Sequence, residues 1–137
     1  MNDDATRKAM IWGWALLALF LPLGLTLEAL HALKLPVYLD SAMRREMWTL
    51  AHAHGNLLGV LCLVFAAIGS RAVRDDAARA SIARWLRWGA VLMPAGFFLG
   101  GVLNHEGDPS WGIVLTPVGG LFLLVALVRT AWSARQP

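Results

Sequence analysis

Four histidines, one carboxylate within an apolar run and two adjacent arginines are the side chains of this sequence best suited to chemistry: His31, His52, His54, His105, Glu28, Arg44 and Arg45. Imidazole ligates zinc, copper, iron and nickel alike, so the residue type points to a metal without choosing one. Glu28 and His31 share the Glu-x-x-His spacing of carboxylate-bridged metal bundles. Those bundles need two copies and two further glutamates, and only one copy of the spacing occurs here. On a helix the two side chains share a face, so Glu28 could orient His31 by accepting its ring proton. In His52-Ala53-His54 the two rings point about 160° apart on a regular helix. They cannot easily ligate one ion and are expected to have separate roles, one facing the bundle core and the other a neighbouring subunit or the headgroups. Asn56 adds a polar group two residues on. His105 falls in Asn104-His105-Glu106-Gly107-Asp108-Pro109, which is rich in ligand types and is equally a polar turn.

These residues must be positioned by membrane-spanning helices. The chain has 137 residues, of which 58% are hydrophobic and 15% charged, against roughly 45–50% apolar and about 25% charged in soluble domains. The apolar residues come in long runs, and so short a chain has too little interior to bury them. A span needs about 20 largely apolar residues, and four candidates occur, at 9–33, 47–70, 86–104 and 111–130. The last two have shorter apolar centres, 88–104 and 111–128, and extend into their flanks. The reading is an all-α, integral membrane, up-down-up-down four-helix bundle, a single domain over 1–137. Trp12, Trp14, Trp48, Trp85, Trp88, Trp111 and Trp132 lie near span ends, as an aromatic belt does. The first span is expected to be retained: its apolar stretch is long for a signal peptide, and Asp3 and Asp4 precede it.

Charge sets the direction. With the N-terminus inside, the inner segments hold Arg7, Lys8, Arg71, Arg74, Arg79, Arg84, Arg87, Arg129 and Arg135. The outer segments hold Lys34, Arg44 and Arg45. That bias places both termini in the cytoplasm of a bacterial-type inner membrane. His31 then ends the first span, His52 and His54 begin the second and His105 ends the third. All four lie towards the outer leaflet, within roughly 10 Å of one another in depth. A carboxylate such as Glu28 is costly within a span, so it is expected to face the bundle interior with a partner.

Gly55 and Gly59, like Gly96 and Gly100, repeat at four-residue spacing. Such residues let helix backbones approach closely; alternatively Gly55, Gly59, Gly100 and Gly101 leave room for a flat cofactor. Pro22, Pro94 and Pro117 should each kink or loosen a span, and Thr116 could satisfy a freed carbonyl. The single Cys62 excludes an intramolecular disulfide and any cysteine-based zinc or covalent haem motif. No basic run with interleaved aromatics suggests nucleic acid.

The segment Leu50-Ala51-His52-Ala53-His54-Gly55-Asn56-Leu57-Leu58-Gly59 resembles the His-Ala-His-x-Asn-Leu-Leu-Gly signature of short four-helix membrane proteins often grouped with subunit I of haem-copper oxidases. It is also similar to the second helix of subunit I itself, where an Ala-His segment near the outer end ligates the low-spin haem. The resemblance implies that His52 or His54 is an axial ligand of haem b. His31 or His105, from the same or a neighbouring chain, would supply the second ligand, with Arg44 and Arg45 near the propionates. It covers about twenty residues, and nothing later in the chain matches the motifs of the second haem or copper. The leading expectation is a homo-oligomeric haem b protein in redox chemistry or electron transfer. Two others stand beside it: a copper or zinc site using His31, His52 or His54, His105 and Glu28, and a structural or assembly subunit of a larger membrane complex.

Overall fold

The computed structural model describes residues 4–105 and 107–135. Their regular structure is entirely helical: α1 (Asp4–Ala32), the short α2 (Pro36–Leu39), α3 (Ala42–Ala72), α4 (Asp76–Gly100), a 3₁₀ turn (Trp111–Val114) and α5 (Leu115–Ser133). Helix ends follow local chemistry. Asp4 pairs with Lys8 at 2.6 Å across the first turn of α1, starting that helix earlier than its apolar run. The Ser41 hydroxyl accepts from Arg44 N at 3.2 Å and the Asp75 carboxylate from Ala78 N at 2.6 Å. These two N-caps set the starts of α3 and α4. α4 therefore begins ten residues before the expected 86 and stops at Gly100 rather than 104. Pro117 lies in the first turn of α5, where its missing N–H costs no hydrogen bond within that helix.

Among the described residues three helices are long and apolar enough to cross a membrane: α1, α3 and the segment Trp111–Ser133. Their exposed apolar faces suggest contact with a lipid bilayer, and the arrangement is compatible with a multi-pass membrane protein. The expected third span, α4, does not qualify. Asp76, Arg79, Arg84 and Arg87 occupy its first half. α4 packs against α1, α3 and α5. It buries Ile82, Ala83, Leu86, Gly89, Ala90, Pro94 and Gly96. Buried Arg79 joins two helix ends, donating to Val73 O just after α3 at 2.7 Å and to Asp76 at the start of α4 at 2.5 Å.

Two seams hold the bundle. α1 lays Ala9, Gly13, Leu16 and Phe20 on α3, and a Cβ on Gly13 would stand 2.9 Å from Gly59 O. α4 meets α5 equally closely, since a Cβ on Gly119 would stand 2.5 Å from Met93 N. Both are backbone approaches of the kind small residues permit in membranes. At the second seam Thr116 Oγ1 donates to Met93 O at 3.3 Å, joining α5 to α4.

Of the seven tryptophans, Trp12, Trp14, Trp88, Trp111 and Trp132 are exposed as belt residues should be. Trp48 and Trp85 are not. Trp85 meets Phe122 edge to face at 4.6 Å, and Trp48 is stacked between Tyr38 and Phe98.

Candidate functional site: two imidazoles on opposite flanks of one helix

α3 presents a buried stripe, Ala51, Gly55, Leu58, Gly59 and Cys62, to its neighbours. His52 and His54 flank that stripe, and each meets a different helix. His52 leans into the α1 seam, with Nδ1 at 2.7 Å from Phe20 O. That carbonyl can only accept, so in the neutral ring Nδ1 carries the proton and Nε2 keeps its lone pair. Gly24 provides the space, since a Cβ there would lie 2.6 Å from His52 Nδ1 and 2.8 Å from Nε2. His54 turns the other way and packs on Phe97 of α4, with ring centroids 4.8 Å apart. Its Nδ1 donates to Leu50 O at 2.9 Å, which again leaves Nε2 as the free acceptor. Neither Nε2 has a partner among the described residues, and neither belongs to the fully buried unsatisfied atoms.

Asn56 lies one turn below His52. Its amide nitrogen donates to His52 O at 2.9 Å and sits 3.1 Å from His52 Nδ1. Its Oδ1 is the one buried side-chain polar atom without a partner among the described residues.

The other candidates stand apart. Glu28 is exposed on α1 and makes no hydrogen bond or ion pair among the described residues. The expectation that it faces the interior and orients His31 is corrected: the face it shares with His31 points outward, because Phe20 and Leu27 take the packing positions. His31 is exposed and meets Tyr38 edge-on, with centroids 6.3 Å apart. His105 is exposed in a turn closed by Asp108 N on His105 O at 3.2 Å; Glu106 of that loop lies outside the described residues. Among the described residues no three of the His, Cys, Asp and Glu side chains come together to hold a metal ion.

Arg44 and Arg45 serve the fold. Arg44 donates from Nε to Gly101 O at 3.1 Å, from NH1 to Val37 O at 2.6 Å and from NH2 to Asn104 Oδ1 at 3.4 Å. Its guanidinium lies 5.6 Å from the centre of the Trp48 ring. Arg45 donates to Leu39 O. Together they clamp α2 and the loop after α4 onto the start of α3. Arg44 is engaged through three of its nitrogens, whereas Arg45 uses NH1 alone. Beneath Arg44 runs a ladder of rings, Tyr38 on Trp48 at 6.4 Å and Trp48 on Phe98 at 5.6 Å. Trp48 Nε1 donates to Phe98 O at 3.2 Å.

A haem plate needs a slot and two converging ligands, and His52 and His54, turned to α1 and α4 respectively, do not form such a pair within one chain. The positions that could have left a slot are filled: a Cβ on Gly55 would meet the Phe20 ring at 2.5 Å and less, one on Gly101 the Trp48 ring at 2.7 Å, and one on Gly100 Ile113 at 3.3 Å. The glycines serve close packing. Each of the two imidazoles has Nδ1 on a backbone carbonyl and Nε2 without a hydrogen-bond partner among the described residues, an arrangement that metal-binding histidines also use.

Phe20, Gly24 and Phe97 are partners of the histidines that residue types and spacing do not announce. Gly24 could have been suspected, as a single glycine in a span opposite a bulky polar residue. The carbonyl of Phe20 has no side-chain signature at all. No family model matches this chain, and neither the curated proteins nor the solved structures include a match.

Proposed function

We propose that this chain is a membrane subunit that supplies histidine ligands to a b-type haem shared with a second chain, in redox chemistry or electron transfer. The observation that supports this is the matched state of His52 and His54, each with Nδ1 on a backbone carbonyl and Nε2 open. The rings lie on opposite flanks of α3, so a bis-imidazole site requires another copy or a partner subunit. In this reading α4 is the fourth membrane crossing, carried as the shielded helix of an up-down-up-down bundle. The excess of inner arginines then puts both termini in the cytoplasm and the histidines towards the outer face of a bacterial-type inner membrane. A copper or zinc ion is the alternative occupant, and it too would need ligands from more than one chain.

The test is haem content by pyridine haemochrome together with the mass of the detergent-solubilised particle. About one haem per pair of chains, present only in the oligomer, is the expected result. Colourless particles that carry stoichiometric copper or zinc would move the site to a histidine-ligated ion. Colourless, metal-free protein that fails to take up added haemin would overturn the reading.

A second reading is favoured by the same seam. The His52 bond to Phe20 O already joins α3 to α1, which suffices for a structural or assembly subunit. Stable metal-free protein whose His52 and His54 variants fold but lose a co-purifying membrane partner would select it.

A further inference from the structure

At the opposite end of the molecule from the histidines, a half-open cavity of about 540 Å³ lies between the α3–α4 connection and the last turns of α5. Arg74, Arg129 and Ser133 give it a polar side, and Val73, Val128 and Trp132 an apolar one. Arg74 makes no hydrogen bond or ion pair among the described residues. Arg129 is held in place by one donation, NH1 to Ser81 Oγ at 2.8 Å, which leaves its remaining N–H groups for a ligand. The carboxylate in the wall, Asp75, is engaged as the N-cap of α4 at 2.6 Å from Ala78 N. Asp76 beyond it is paired with Arg79 at 2.5 Å. Neither acid is paired with Arg74 or Arg129.

Two guanidiniums beside an apolar wall suit a phosphate that carries hydrocarbon. The surroundings continue in the same sense. A narrow groove lined by Leu61, Phe65, Ile68, Ala72 and Leu127 lies along α3 and α5 and exposes almost only carbon. From residue 61 to residue 72 it covers about 16 Å of helix. Ala72 and Leu127 immediately precede Val73 and Val128 of the basic cavity. Exposed Trp132 at the rim is the residue type that settles at headgroup depth.

We propose that this cavity binds the phosphate of an anionic phospholipid, with Arg74 and Arg129 on the phosphate and an acyl chain directed towards the α3–α5 groove. The proposal rests on membrane insertion and is independent of any role of the histidines.

The test is native mass spectrometry of the detergent-solubilised protein offered equal phosphatidylglycerol and phosphatidylcholine. The intact chain should retain phosphatidylglycerol preferentially. Each arginine contributes about fivefold, so Arg74→Gln/Arg129→Gln should reduce the preference by about 25-fold. Arg84→Gln/Arg135→Gln removes the same charge outside the cavity and should leave the preference nearly unchanged. If the double variant does not fold, Arg74→Gln alone serves, because Arg74 holds nothing in the fold, and about a fivefold loss is expected. Equal losses in the cavity and control pairs would overturn the proposal in favour of a diffuse basic rim. Absence of preference in the parent protein would overturn it outright. Displacement of phosphatidylglycerol by inorganic phosphate, with phosphate retained by lipid-free protein, would replace the lipid with a free anion.

Discussion

Replacing Gly24 with alanine puts a methyl group where the His52 ring now lies. The new Cβ would stand 2.6 Å from Nδ1 and 2.8 Å from Nε2, so the ring must leave and its bond to Phe20 O must break. Overpacking of this kind costs about 1–3 kcal/mol. His52→Ala alone removes the ring and an interhelical hydrogen bond, for which membrane measurements average about 0.6 and reach about 1.7 kcal/mol. If the two effects were independent, the double variant would lose the sum. The geometry says otherwise, because once the imidazole is gone the methyl enters vacated space. Gly24→Ala on the His52→Ala background should therefore be close to neutral, giving a favourable coupling of about 1–3 kcal/mol, well beyond the roughly 0.3–0.5 kcal/mol within which distant sites add. The assay is reversible denaturation in mixed micelles, followed by far-ultraviolet circular dichroism, for the parent, both single variants and the double. Additive losses would show that His52 does not occupy the seam at Gly24.

The remaining predictions concern other parts of the fold. Arg44→Ala loses three donations to Gly101 O, Val37 O and Asn104 Oδ1; it should destabilise the protein by about 2–4 kcal/mol and open the loop after Gly100 to limited proteolysis. Arg44→Lys should recover only part of this, since an ammonium cannot span the fork, and a lysine variant of full stability would refute the clamp. Asn56→Leu removes the buried, unpartnered Oδ1, so it should leave denaturation unchanged or raise the midpoint; a loss of more than about 2 kcal/mol would mean that Oδ1 has a partner. Gly96→Ala places a Cβ against the backbone of Leu115 and Thr116. It should separate α4 from α5, and trimming the Thr116 side chain to alanine should not restore stability; recovery would show that the side chain alone fills the space.

The all-helical character and the three long apolar helices were legible because apolar length reports directly on candidate spans. The residues that set the helix ends, Ser41 and Asp75, are caps that hydrophobic runs do not reveal, which explains the early starts of α3 and α4. α4 fell short as an apolar span because Asp76, Arg79, Arg84 and Arg87 occupy its first half. The angular separation of His52 and His54 followed from helix geometry alone, but which helix each would meet depends on tertiary packing. Glu28 went astray through the assumption that a carboxylate in a span must face inward. One turn from the helix end, it lies outward on α1 while Leu27 packs. Arg44 and Arg45 could be placed near the outer end but not assigned acceptors, since the carbonyls of Val37, Leu39 and Gly101 carry no sequence signature.

The central claim is that His52 and His54 present open Nε2 atoms to a haem shared between chains. Its most direct measurement is the reduced-minus-oxidised absorption spectrum of the purified oligomer, for the parent and for His52→Ala and His54→Ala, each after incubation with haemin. A Soret band with sharp reduced bands in the parent, lost in at least one variant that keeps its helicity and oligomeric mass, is the expected result. The same band undiminished in both variants, or absent from the haemin-treated parent, would contradict it.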